Sequence, residues 1–159
     1  MELSLPPNVA DIRRWVRMAQ PFCLVEKNAA QTITNSTVTD VTWQVDRHDD
    51  WGMHDTSSNT ERITIPVSGR YLVHCVASWA PRATGERQLY LEEVGELNKI
   101  FSYDLVPGAS ASLQTRHSVT AVLQLSAGVY VKAVCRVTGG DLDLEANTTI
   151  AQFLAIRIG

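Results

Sequence analysis

The chain has little of what usually announces a chemistry. Only 19% of its 159 residues are charged, 14 basic against 17 acidic, and the net charge is −3. Nothing in that balance draws the protein to nucleic acid or to an anionic membrane. No apolar run approaches the roughly 20 residues that span a bilayer, and the opening MELSLPPN lacks the basic region and apolar block of a secretion signal. Synthesis in a cytoplasm is therefore expected. Cysteines number three, Cys23, Cys75 and Cys135, without a CxxC pair, which argues against a zinc knuckle or a thioredoxin-type redox site. Cys75 and Cys135 lie in apolar strand patterns and read as small hydrophobes. Asn35-Ser-Thr and Asn147-Thr-Thr match the glycosylation sequon but read as chance matches without a secretion signal.

Catalytic signatures are missing as well. There is no GxSxG elbow, HExxH or phosphate-binding loop. Glu92 and Glu93 are neighbours on a strand and point to opposite faces, so they cannot flank one glycosidic bond. The expectation is a protein that is not an enzyme, with no catalytic residue, metal or cofactor. No Gly-X-Y run is present, so a collagen-type role is not implied.

What the chain does have is strand alternation. In Ser68-Gly-Arg-Tyr-Leu-Val-His-Cys-Val-Ala-Ser-Trp79, Tyr71, Val73, Cys75, Ala77 and Trp79 share one face, and Leu72, His74, Val76 and Ser78 the other. Both faces carry apolar residues, so both need cover. A sandwich covers one, and another copy of the same chain is the economical cover for the second. The same pattern recurs in Phe22–Glu26, Thr32–Thr34, Thr37–Asp46 with Val41, Trp43 and Val45 aligned, Arg87–Glu93, Leu97–Leu105, Leu113–Leu125, Val129–Val137, Leu142–Leu144 and Thr149–Ile158. Eight to ten such strands without βαβ alternation predict an all-β two-sheet sandwich or barrel. The last strand stops with the chain and is expected inside a sheet rather than at its edge.

Residues 1–21 differ from the rest, and the predicted organisation is an arm over 1–21 and a β domain over 22–159. After Pro6-Pro7, Asn8 caps a predicted helix from Val9 to about Ala19, ended by Pro21. Ile12, Trp15, Val16 and Ala19 form its apolar stripe, and Arg13, Arg14 and Arg17 its basic flank. Three turns are too few to stand alone in water, so the helix must dock. Its own domain, a neighbouring protein of a larger particle and a membrane surface are the three open alternatives.

Arg47–Asn59 has no apolar period and is expected to be a surface loop. Its Asp46–Asp55 portion gathers two His and four carboxylates, ligand types for zinc or calcium, but at no recognised metal spacing; a solvated loop is the expectation. Trp51, Met53 and His54 in it are candidate ligand contacts, with Trp51 and Met53 alternatively tucked beneath as anchors. Arg82–Arg87 is a second candidate contact loop.

Three blocks carry a family resemblance. Ile63-Thr-Ile-Pro-Val-Ser-Gly-Arg-Tyr-Leu-Val73, Ser118-Val-Thr-Ala-Val-Leu-Gln-Leu-Ser-Ala-Gly-Val-Tyr-Val-Lys132 and Thr148-Thr-Ile-Ala-Gln-Phe-Leu-Ala-Ile-Arg157 resemble, in order and spacing, the strand signatures of the C1q/tumour-necrosis-factor-like jelly roll over residues 22–159. Val129 departs from the family's usual Asp. The loop Trp51-Gly-Met-His-Asp-Thr56 is similar to a version seen in bacteriophage and bacterial members, many of them virion proteins. The resemblance implies a homotrimer whose contact sheet holds the first, last, Tyr71 and Val129 strands. If Tyr71 faces inward, the axis residues are Leu72, His74, Val76, Tyr130, Lys132, Val134, Gln152, Leu154 and Ile156. It further implies a virion subunit, decorating the capsid or forming part of the tail or a fibre, partnered by major capsid or tail proteins through Ile12–Arg17. The alternative is a module that binds a host-surface receptor. No nucleic-acid or membrane partner is expected.

Overall fold

Alternation along Gly69–Trp79 is realised as the longest central strand of the molecule. In the computed structural model, which describes residues 20–96 and 99–159, Tyr71, Val73, Cys75, Ala77 and Trp79 are all buried. The helix expected at Val9–Ala19 lies outside the described residues, as does all of its arm before residue 20. Twelve strands are formed among the described residues: β1 (Phe22–Glu26), β2 (Gln31–Ile33), β3 (Thr39–Asp40), β4 (Val45–Asp49), β5 (Arg62–Thr64), β6 (Gly69–Trp79), β7 (Glu86–Val94), β8 (Lys99–Pro107), β9 (Thr115–Leu125), β10 (Tyr130–Val137), β11 (Leu142–Leu144) and β12 (Gln152–Arg157). All the pairings between named strands are antiparallel.

The strands divide into a seven-stranded and a five-stranded sheet packed face to face. In the first, β6 pairs with β9 on one side and β12 on the other, and the order continues through β1 to β4, with β11 and β2 extending past the end of β12. The second runs β3-β10-β7-β8, with β5 also on β10. Between the sheets the inward residues of each strand interdigitate, and Trp43 stacks on Phe153 at 5.6 Å between ring centroids. The last strand is pinned between β1 and β6, as its two apolar faces require.

Two expectations are corrected. Thr37–Asp46 is not one strand. β3 bonds to β10 in the five-stranded sheet, residues 41–44 cross the core end with Val41 and Trp43 buried, and β4 bonds to β1 in the other sheet. The alternation survives because Val41 N–H donates to Ala133 and Trp43 N–H to Thr60, so the crossing chain stays extended. Arg47–Asn59 is correspondingly not all loop, since β4 reaches Asp49.

β10 is also in the other sheet from β6, although Ser126-Ala-Gly128 looks like a hairpin turn. Gly128, in the left-handed region at φ 90°, donates its N–H to Ile65, and Ile65 donates back to Val129. Ala127 N–H donates to the Ser68 hydroxyl. These bonds hook the chain onto the segment after β5 and carry it across to the second sheet.

The three thiols are free and buried, and burial pushes them well above the usual thiol range. Lys27 is the unusual occupant of the core margin. It is 1% exposed, and its Nζ donates to Thr42 O at 2.9 Å and Gln31 Oε1 at 3.1 Å, both neutral. Desolvation lowers its pKa to about 8, opposed only by Cys135. The unfolded chain therefore binds a proton on Lys27 that the folded one has released between about pH 8 and the ordinary lysine value, so this group makes stability rise with pH in that window. Urea titrations of the wild type and Lys27→Met are expected to show a wild-type-minus-variant stability difference that climbs from pH 8 to pH 10; a flat difference would refute the assignment.

Candidate subunit interface

The outer face of the seven-stranded sheet is built by register. Val122, Leu72, Ile156 and Phe22 stand directly opposite one another on β9, β6, β12 and β1, forming one apolar row across four strands. The next row is Thr120, His74, Leu154, Leu24 and His48, and the next Ser118, Val76, Gln152, Glu26 and Val45. Val122 is 57% exposed and the remaining apolar members of the first two rows are half-buried. Cross-strand apolar neighbours at this spacing form a continuous patch rather than scattered exposed side chains.

Polar groups on this face are mostly tied within the chain. His74 Nδ1 and the Thr120 hydroxyl lie 2.7 Å apart. Glu26 is buried where it accepts from Arg47 Nε at 3.1 Å and Gln152 Nε2 at 3.1 Å, with Arg47 Nη2 2.9 Å from its other oxygen. That carboxylate holds the Arg47 guanidinium above its usual range. The face is thus apolar at the Phe22 end and a closed ion-pair cluster at the Glu26 end.

Of the nine expected axis residues, Leu72, His74, Val76, Gln152, Leu154 and Ile156 share this face. Tyr130, Lys132 and Val134 do not, because β10 belongs to the opposite sheet. They lie on that sheet's outer surface, where Arg62 sits over the Tyr130 ring at 4.6 Å and Lys132 Nζ pairs with Asp40 at 2.9 Å and Glu92 at 3.4 Å. Val134 is buried. Phe22, Leu24 and Val122 were missing from the expectation. Their signal was present in the alternation of Phe22-Cys-Leu-Val25 and Val122-Leu-Gln-Leu125, but only register shows that they meet Leu72 and Ile156.

The loop after β4 is more built than its polarity suggests. The Asp49 carboxylate accepts both the Met53 N–H at 2.8 Å and the His54 N–H at 2.9 Å. Met53 is thereby drawn into the core, and His54 is buried between Asp46 Oδ1 at 2.6 Å and Thr60 O at 3.2 Å. Asp55 accepts from the backbone and hydroxyls of Ser57 and Ser58, which hold its carboxyl well below the usual range. Only Trp51 of the three candidate contacts is presented to solvent, at 40% exposure. Beside it is a cavity of about 150 Å³ lined by Gly52–Asp55, Ser58, Asn59, Arg62 and Thr64.

The second candidate loop is likewise structural. Arg82 donates to the carbonyls of Thr84, Thr138, Gly140 and Asp141, and Arg87 is fully buried. Among the described residues no group of three or more His, Cys, Asp or Glu is gathered as for a metal ion, and no helix is long and apolar enough to cross a membrane.

His54 and Trp51 should separate cleanly on truncation. His54→Ala removes a buried ring and strands the Asp46 and Thr60 acceptors, an expected cost of about 2–4 kcal/mol in urea unfolding. Trp51→Ala is expected within about 0.5 kcal/mol of wild type. Equal costs would show that the loop is held by Trp51 instead.

No protein-family model matches the sequence, and no curated protein matches it. Solved structures do match. Eiger, a tumour necrosis factor from S. frugiperda, superposes with a TM-score of 0.65 at 15% identity, over 88% of this chain and 93% of that one. Murine APRIL at pH 5.0 gives 0.68 at 11%, over 87% and 99%. The globular domain of zebrafish complement 1qA protein gives 0.61 at 19%, over 87% and 98%. The described sandwich is therefore the jelly roll of the tumour-necrosis-factor and C1q globular domains, reached by a sequence that shares little with either.

Proposed function

We propose that this chain is a structural subunit that self-associates as a homotrimer through the outer face of its seven-stranded sheet. The observation that carries the reading is the Val122–Leu72–Ile156–Phe22 row, apolar across four paired strands and only partly covered by the described residues. Removing the area these side chains still expose is worth about 25 cal/mol per Å², and a second and third copy of the same face would cover it without any new sequence. The jelly-roll likeness supports the same mode of assembly, because the threefold arrangement was implied by the family's strand signatures.

Its proposed place is a bacteriophage particle, decorating the capsid or forming part of the tail or a fibre, with major capsid or tail proteins as partners. The support is the resemblance of Trp51–Thr56 to the loop of phage members, and the Ile12–Arg17 arm as the tether. A host-surface receptor-binding module is the second reading, favoured by exposed Trp51 beside the small polar cavity.

Light scattering of the purified protein is expected to give three times the 17.6 kDa chain mass, and Leu72→Glu, which sets a charge in the apolar row, a monomer. A monomeric wild type at micromolar concentration sinks the assembly reading. Deleting residues 1–20 should leave a trimer that no longer joins the particle. Normal incorporation of the shortened chain would remove the tether, and cell binding abolished by Trp51→Ala would favour the receptor module.

A further inference from the structure

At one end of the sandwich, away from the apolar row, several buried polar side-chain atoms lack partners among the described residues. Trp79 closes the inward face of β6, with Thr115 directly opposite on β9 and His117 one row further in, opposite Ala77. The His117 ring stands edge-on to the Trp79 indole at 6.0 Å. From the facing sheet, Arg87 enters on β7 and is 0% exposed. Its Nη2 donates to Arg82 O at 2.6 Å, but its Nε and Nη1 have no partner among the described residues. The same holds for Trp79 Nε1, Thr115 Oγ1 and both ring nitrogens of His117.

The charge is unbalanced in the same place. No carboxylate pairs with Arg87 among the described residues, and the nearby Arg82 spends its guanidinium on backbone carbonyls. Burial and the Arg82 charge both press on the Arg87 guanidinium. His117 is held below its usual range by burial and by Arg87, with Asp104 on β8 acting the other way. A buried cation without a counter-ion is strongly disfavoured, and buried donors normally find an acceptor.

We propose that this end of the sandwich is a binding site for a small monovalent anion of the halide class, chloride under ordinary conditions. The ion neutralises Arg87, accepting from its Nε–H and Nη1–H, from the Trp79 indole N–H and from the Thr115 hydroxyl, with His117 packed beside it. A halide suits a lining made of donors because it needs no fixed acceptor geometry and donates nothing in return. A multivalent oxyanion would bring more charge than one arginine balances. The site shares no residue with the proposed subunit contact, so it stands or falls independently of the trimer.

The full chain, melted in sodium chloride and in sodium gluconate at equal ionic strength, is expected to show a saturable rise in melting temperature of about 2–5 °C in chloride. Crystals grown or soaked in bromide should give an anomalous peak within hydrogen-bonding distance of Arg87 and Trp79. Trp79→Phe, which removes one donor and keeps the ring, should weaken the chloride response, and Arg87→Met should abolish it. Identical melting in the two salts together with no bromide peak overturns the proposal and leaves the donors to ordered water. A peak without a melting response means binding at crystal concentration only and overturns it equally.

Discussion

A single strand with two oily faces governs this molecule. β6 is hydrogen-bonded along its length by β9 on one side and by β12 and then β11 on the other, so its backbone is satisfied and its position in the sheet is locked. Its inward face supplies Tyr71, Val73, Cys75, Ala77 and Trp79 to the core. Its outward face supplies Leu72, His74 and Val76 to a surface that no other part of the described chain covers fully. Pairing register then propagates the pattern sideways, because each residue opposite an outward β6 side chain is itself outward. An apolar surface several strands wide is the unavoidable product, and self-association is the cheapest way to remove it from water.

The two outer surfaces are not equivalent. The five-stranded sheet turns out Lys132 with its two carboxylates, Arg62 over Tyr130, and Tyr90 stacked on Tyr103 at 5.2 Å. Beside them β8 turns out Ile100, Tyr103 and Leu105, all exposed, so this surface too presents apolar side chains to water. The seven-stranded sheet puts its main charged cluster, Glu26 with Arg47, at one margin and leaves the middle apolar. The two surfaces thus differ in where their charge is placed, at the margin of one sheet and across the middle of the other.

The ends of the sandwich differ in how they treat buried polarity. Near Asp46–Thr60, carboxylates sit where N–H groups need acceptors, and His54 is bonded through both ring nitrogens. Near Trp79, Arg87 and His117 are enclosed with donors left over. A loop that looks like a ligand patch in sequence is thus an internal clamp, while strand residues that look like ordinary core margin form the less satisfied cluster. Arg87 was in principle readable, since it shares a face with Leu89 and Leu91. A charged residue beginning a strand is expected to bend out to water, yet Arg87 is fully buried and turned back onto the Arg82 carbonyl.

Sequence by itself determined the all-β class, most strand positions, the inward set on β6 and the need for a cover on its other face, because these follow from a two-residue period that any strand expresses locally. It also carried the jelly-roll signature through Pro66, Gly69 and Tyr71. Which sheet each strand joins was decided only in three dimensions. β10 follows β9 by a turn short enough for a hairpin, yet bonds at Gly128 and Val129 to Ile65 send it to the opposite sheet, and Tyr130, Lys132 and Val134 with it. Residues 41–44 cross between sheets without losing their alternation. Side-chain period reports which way a residue points relative to its own strand, whereas sheet membership depends on hydrogen-bond partners far away in the chain, and those are chosen by the packing of the whole sandwich.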